Sequence, residues 1–307
     1  MAETAGSWYE LLYTDCRKYF SDTLGKHESM VPMLYDVDTS DKAAEYDMSY
    51  SGVGNMQRFT GTAIKDTMAE EYKKTFTFPE FMNSIDIRRN LYDDAREKSV
   101  FNMVREFALG AARTKEAHAA EPFNYAFTAS GTYSSGDSTA GPDTKSLCAT
   151  DHTSNADGTY AGSNKITTAI SGKGLMEMRD VMRNITDGRG NKSNCKLDML
   201  LVPANKDVEE VAWELINTGG KVDTADNNRN FHKGRYKLAV WDELTDANNY
   251  FGLDSEKTKF HLAWFNRVAL ENWKKFDEDL QTLTFGAYGR WGLGFNSWRF
   301  IVGAEVA

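Results

Sequence analysis

Apolar positions along this chain change period several times, and each change marks an element. Over residues 8–20, Leu11, Leu12, Cys16 and Tyr19 recur among charges, as on a short amphipathic helix. Residues 36–50 are polar and acidic without a clear period, and an irregular arm is expected there. Tyr72, Lys74, Phe76 and Phe78 then alternate with Lys73, Thr75 and Thr77, which places the first set on one face of a strand. Gln57-Arg58-Phe59-Thr60 is the expected partner strand. The two would make a long hairpin over residues 51–80, and such a hairpin needs a surface to lie against, because isolated hairpins are marginal in water.

The strongest helical pattern covers residues 91–120. Val100, Met103, Val104, Phe107, Ala108 and Ala111 fit one buried stripe. Pro122 follows and is expected to stop the helix. At ~1.5 Å per residue such a helix approaches about 45 Å, long for a compact domain. Residues 129–163 are rich in Ser, Thr, Gly and Asp and read as a long polar loop.

Regular alternation of helix and strand follows. Leu175, Met178, Met182 and Ile185 share a helical face that ends at Asp187-Gly188-Arg189-Gly190. Residues 196–202 read as a buried strand. Asn205 caps a second helix with Asp207, Glu209 and Glu210 in its first turn and Val208, Val211, Ala212, Leu215 and Ile216 as its stripe, stopped by Gly219-Gly220. Residues 236–241, 250–253 and 259–265 are further strands, so 171–275 forms an α/β unit. The aromatic, strand-like segment 280–302 is expected to pack outside that unit.

Composition narrows the class. The chain has 307 residues, with 36 Lys and Arg against 45 Asp and Glu, a formal charge of −9. That argues against a surface built wholly to grip nucleic acid. A hydrophobic fraction of 41% with 12% aromatics indicates a packed core rather than a disordered chain. Only 3 Cys are present, too few for a disulfide scaffold. The first residues carry no secretory pattern, and no apolar run approaches the roughly 20 residues a membrane span needs.

No motif carries chemistry. Cys148-Ala149-Thr150-Asp151-His152 lacks a second paired unit for zinc, Cys195 and His118 being the nearest additions, so no metal site is expected. No residue context activates a cysteine nucleophile. Ser171-Gly172-Lys173-Gly174 has neither the first Gly nor the hydroxyl of a phosphate loop. Asp223-Thr224-Ala225-Asp226-Asn227-Asn228 lacks the Gly and Glu of a calcium loop. The Asn184-Ile185-Thr186 sequon has no export signal to make it relevant. Phe285, Tyr288, Trp291, Phe295, Trp298 and Phe300 have only Arg290 and Arg299 among them, which favours packing over base stacking. Asp242, Glu243 and Asp246 keep a carboxylate hydrolase open as an alternative. No cofactor is expected.

Several phrases resemble one family. They are Leu197-Asp198-Met199-Leu200-Leu201-Val202-Pro203 before a helix, Leu238-Ala239-Val240-Trp241-Asp242-Glu243-Leu244-Thr245-Asp246, Asn248-Asn249-Tyr250-Phe251-Gly252-Leu253, and Gly294-Phe295-Asn296-Ser297-Trp298-Arg299. In sequence and spacing the chain resembles the major capsid proteins of tailed bacteriophages, in particular the Mu-like head subunit group. Trp241-Asp242-Glu243 stands where that group often has a Pro.

The resemblance implies an α+β fold of the Hong Kong 97 capsid type. Residues 1–50 would be an N-terminal arm on neighbouring subunits, and 51–80 the extended-loop hairpin. Residues 81–170 and 276–307 would be a peripheral domain with a sheet and the spine helix 91–120, and 171–275 the axial α/β domain. It implies a shell protein without enzymatic activity. Hexamers and pentamers of the chain would enclose double-stranded DNA, contacted non-specifically, with a separate scaffolding protein, a portal and decoration proteins as further partners. Assembly is expected in the host bacterial cytoplasm, with the product in the virion and no membrane involved. Arg58, Phe59, Tyr72, Phe76, Phe78, Arg105 and Arg113 are the expected subunit-interface residues. No inter-subunit cross-link is expected. An encapsulin-like cargo shell and a tail or connector protein are the structural alternatives, and the α/β hydrolase near Asp242 and Asp246 is the enzymatic one.

Overall fold

The computed structural model describes residues 7–50, 52–61, 65, 70–94, 96–153, 161–220 and 229–306. The chain begins with helices α1 (Ser7–Leu24) and α2 (Val31–Leu34), then strands β1 (Asp36–Thr39), β2 (Ala44–Tyr50), β3 (Glu70–Thr77) and β4 (Glu80–Arg88). Helices α3 (Arg89–Asp93) and α4 (Glu97–Asn124) lead into the polar segment, which holds the short strands β5 (His152–Thr153), β6 (Ala161–Gly162) and β7 (Lys165–Ile166). There follow α5 (Gly172–Asn184), β8 (Met199–Pro203), α6 (Lys206–Asn217), β9 (Lys237–Trp241), β10 (Tyr250–Leu253) and α7 (Ser255–His261). The chain closes with β11 (Leu262–Asp277), β12 (Thr282–Phe295) and β13 (Ile301–Ala304).

Two sheets organise the core. The first has the order β1-β11-β12-β4 and is built on the long antiparallel pair β11–β12, with a register shift between Asn266 and Glu271. Helix α4 lies over it. Val100, Val104, Phe107 and Ala108 of α4 bury against Ile87, Leu283 and Phe285 of the sheet and against Trp8, Leu12, Cys16 and Phe20 of α1. The i, i+4, i+8, i+12 spacing of the α1 residues makes a single narrow stripe, matched to the stripe of α4. The segment expected to reach onto neighbours as an arm therefore has its helix packed on its own subunit, because α4 already offers that stripe a complementary face.

The long helix also has different limits from those expected. It starts at Glu97, after a break that separates it from α3, and runs through Pro122 to Asn124. Pro122 lacks the N–H that would bond the carbonyl of residue 118, but the helix ends two residues later, so little of the hydrogen-bond ladder is lost.

The second sheet has the order β7-β13-β10-β8-β9, with β8 and β9 parallel and β10 antiparallel to both its neighbours. Its three inner strands, β13, β10 and β8, are buried on both faces. Leu200, Val202, Tyr250, Val302 and Ala304 face the stripes of α5 and α6. Met199, Leu201, Phe251, Leu253 and Ile301 face the end of α4, with Ala119, Ala120, Phe123 and Trp264.

Two boundaries therefore shift. Ile301–Ala304, expected outside the α/β unit, is an inner strand of its sheet, and its uniformly apolar, buried residues suit a strand covered on both faces. Residues 259–265, expected to be a strand of that unit, are divided between α7 and β11. The Asp254 side chain accepts from the Lys257 N–H and starts a helix, and β11 belongs to the first sheet.

Strand β3 forms where alternation places it, but its partner is β2, in antiparallel register Ala44↔Thr77 to Tyr50↔Glu70. Residues 57–60 have no regular secondary structure and are exposed. The pattern of β2 was hidden because it is inverted. Tyr46, Met48 and Tyr50 point to solvent, while Glu45, Asp47 and Ser49 share the inner face with Phe76, Lys74 and Tyr72.

Candidate assembly surfaces

The inner face of the β2–β3 hairpin is fastened to its own subunit. Phe76 and Phe78 are buried, with ring centroids 5.5 and 6.3 Å from Phe265. Glycines in β12 make room for them: a Cβ at Gly294 would stand 2.5 Å from Phe76, and one at Gly292 would stand 2.1 Å from the Thr77 carbonyl oxygen. Polar bonds hold the rest of this face. Lys74 Nζ donates to the Ala140 carbonyl at 2.7 Å, and Asn296 Nδ2 donates to Asp47. Glu71 faces Arg299 at 3.5 Å in a buried pair, where desolvation still pushes its carboxyl above the usual range. Tyr72 is half-buried, its hydroxyl 2.7 Å from Thr153 Oγ1.

The expected interface residues therefore separate into three groups. Phe76 and Phe78 lie in the subunit's own core, not on an interface, because the glycines of β12 let the strand approach; Tyr72 lies beside them. Arg58 and Phe59 are exposed on the segment that follows β2. Arg105 and Arg113 are exposed on α4, with Arg105 over the Tyr19 ring at 5.2 Å.

The apolar surface that remains uncovered is the outer one. Tyr46, Met48 and Tyr50 on β2 continue into Val53, Met56 and Phe59; Tyr46 is 60% exposed, Phe59 72%, and Met56 fully. Six large apolar side chains within fourteen residues exceed the scattered exposure normal for a monomer surface. The signal was present as the alternation in residues 44–50, with its apolar side outward.

A groove of about 540 Å³ runs between α4 and the first sheet, lined by Phe81, Met82, Phe107, Gly110, Arg113 and Trp291 among others. Phe81 stacks on Trp291 with centroids 4.3 Å apart, and Met82 is 68% exposed at its rim. Beneath it, Trp291 Nε1–H donates to His118 Nδ1 at 2.9 Å. Burial pushes the His118 imidazole down to about 4, so it is neutral at pH 7 and accepts that bond.

The residues considered for catalysis or metal binding are placed apart. His152 is buried, with Nδ1 2.6 Å from Asp143 Oδ2 and its ring stacked on Trp298 at 4.4 Å. Asn164 Oδ1 stands 3.1 Å from His152 Nε2, while its Nδ2 donates to the Leu147 carbonyl at 2.9 Å, so this network pins the polar segment to the strands beneath it. Cys148 is buried, its thiol pushed up by desolvation, and Cys195 is buried beside the Arg299 carbonyl. Among the described residues no His, Cys, Asp and Glu side chains converge to hold a metal ion. Asp246 Oδ1 accepts from the N–H groups of Asn248 and Asn249 and closes a turn, and Ser171 caps α5 by accepting from the Gly174 N–H. The segment 223–228 lies outside the described residues.

A long helix over a mainly antiparallel sheet, a second sheet carrying two helices on one face, and a hairpin with an exposed apolar outer face define the capsid-subunit class of fold. Solved structures place the chain there. It resembles the capsid of the native GTA particle at 13% identity and a TM-score of 0.58, covering 93% of this chain and 90% of that one. It resembles a virus-like particle from Pyrococcus furiosus at 10% identity and 0.55, covering 95% and 98%. It also resembles the procapsid of bacteriophage JBD30 at 14% identity and 0.51, covering 98% and 75%. The chain thus has the α+β, Hong Kong 97-type fold of tailed-phage capsid subunits. No family model and no curated protein matches the sequence.

Proposed function

We propose that this chain is the major capsid protein of a tailed bacteriophage, a structural and not a catalytic molecule. It assembles into hexamers and pentamers that close an icosahedral shell around double-stranded DNA. The observation that carries this reading is the row Tyr46, Met48, Tyr50, Val53, Met56 and Phe59, whose side chains are all exposed. Its complement is the groove beside α4, an apolar trough of the kind a neighbour's projecting segment fills. Repeated over many copies, burial at ~25 cal/mol per Å² of apolar surface drives closure.

In this reading the first sheet with α1 and α4 is the peripheral domain. The second sheet with α5 and α6, now including Ile301–Ala304, is the axial domain. The hairpin and the segment after it are the extended loop. A scaffolding protein, a portal and decoration proteins are its further partners, DNA is contacted without sequence preference, and the mature product resides in the virion after assembly in the host cytoplasm. The Mu-like placement rests on the residue phrases alone.

The test is electron microscopy of the purified full-length chain beside a Met56→Ser/Phe59→Ser variant. Closed particles from the wild type, and small species with an unchanged circular dichroism spectrum from the variant, are expected. A wild type that stays monomeric under all conditions overturns the reading. The likeness to the virus-like particle from Pyrococcus furiosus keeps an encapsulin-like shell as the second, less supported reading. Enzyme cargo in place of DNA inside purified particles would establish it.

A further inference from the structure

Two charged faces of the second sheet's helical layer have no ion-pair partner among the described residues, and they have opposite sign. On one, Arg179 and Arg183 lie at i, i+4 on α5, joined by Lys196 and Arg235 around a cleft of about 220 Å³. The guanidinium carbons of Arg235 and Arg179 stand 3.6 and 4.6 Å from the Phe231 ring centre, and Phe231 is 45% exposed. Nη1 of Arg179 is buried without a hydrogen-bond partner. None of the four cations has an acidic partner among the described residues. The local field is positive enough to act on His232, which is held below its usual range by burial first and then by Arg179 and Arg235.

On the other face, Glu210 and Glu214 lie at i, i+4 on α6, flanking Trp213, which is 58% exposed; Glu209 and the single cation Lys206 complete the lining of this separate cleft, leaving it net acidic. These carboxylates also lack a cationic partner among the described residues. Glu209 is explained by the helix dipole, being in the first turn, but Glu214 is beyond its reach. Like charges at i, i+4 destabilise an isolated helix by a few tenths of a kcal/mol. The chain thus carries two such pairs, on adjacent helices, each beside an exposed aromatic ring.

We propose that these two faces dock head to tail between copies of this chain, the Arg179/Arg183/Arg235 cleft of one receiving the Glu210–Trp213–Glu214 face of the next. The faces match in three respects: opposite net charge, the same i, i+4 spacing, and an exposed aromatic ring beside the charged pair of each. A guanidinium-lined cleft suits both a carboxylate pair and an indole ring. Within one copy the faces do not meet, since they line different clefts and no ion pair joins them. A contact between two different surfaces is heterologous, and such contacts form a ring when their rotation closes. Docking relieves the like-charge repulsion on both helices and gives the contact a single polarity. The inference rests on the shell reading only in taking the partner to be a second copy.

Charge reversal of exposed residues in the full-length chain tests it. Arg183→Glu/Arg235→Glu and, separately, Glu210→Lys/Glu214→Lys should each raise the concentration needed for assembly at least tenfold in sedimentation velocity, with circular dichroism and melting temperature unchanged. The quadruple variant, carrying both reversals, should assemble again. If the cleft reversal assembles like the wild type, or if the quadruple variant is no better than either double, the proposal is wrong. Intact shells that have lost only their retained DNA would assign the cleft to phosphate and overturn it equally. A wild type that never assembles removes the shell reading as well, so the two failures are distinct.

Discussion

Phe76 packs over Gly294 so closely that a Cβ there would stand 2.5 Å from its ring. The contact joins strand β3 of the hairpin to strand β12 of the first sheet, and it decides which face of the hairpin is covered and which is left exposed.

Gly294→Val therefore pries the hairpin from its seat. A stability loss of ~1–3 kcal/mol is expected from overpacking at a filled site, read as a lower urea midpoint. Limited proteolysis should cut faster within residues 44–78 of the variant. Equal midpoints and equal cutting would show that the hairpin is held elsewhere.

The buried His118 makes stability depend on pH. Its folded pKa is about 4 against an ordinary 6.5. As pH falls below 6.5 the unfolded chain takes up this proton first, so the contribution is complete above that value and is lost between 6.5 and 4. The whole effect is on the order of 3 kcal/mol. Burial pushes the neighbouring Glu121 carboxyl up, which acts in the opposite sense, so the comparison is with His118→Gln and not with an absolute value. Urea midpoints on either side of this window should fall further for the wild type than for the variant. Parallel losses would remove His118 as the cause.

His152 and Asp143 form a buried pair against Trp298. His152→Phe keeps the ring stack but leaves the Asp143 carboxyl without its partner, at an expected ~3–5 kcal/mol. Adding Asp143→Leu should recover part of that loss, because both partners are then gone. Additive single effects in this cycle would mean that the pair is not coupled.

Much of the candidate assembly surface was within reach of the sequence, yet it was read with the wrong sign. Alternation at Tyr72, Lys74, Phe76 and Phe78 correctly gave one inward face. Apolar residues that alternate were then taken as the part offered to neighbours, and they are the part already covered. The exposed part, Tyr46, Met48 and Tyr50, alternates equally well, but its inward neighbours Glu45, Asp47 and Ser49 are polar and satisfied by Lys42, Asn296 and Tyr72. The Gly286, Gly289, Gly292 and Gly294 series in β12 was the remaining clue, since it marks where a backbone or ring approaches closely.

The sequence by itself determined what depends on near neighbours. The stripes of α5 and α6, their caps at Ser171 and Asn205, the buried runs of β8 and β10 and the buried stripe of α4 are all set by spacings of two to four residues. Only the tertiary structure decided which strands pair. That β2 takes β3, that Ile301–Ala304 enters the second sheet between β7 and β10, and that α1 stays on its own α4 depend on surfaces built from residues far apart in the chain. A periodic pattern states that a face must be covered; it does not state what covers it, because the energy of covering is non-directional and is set by whichever complementary surface folding brings within reach.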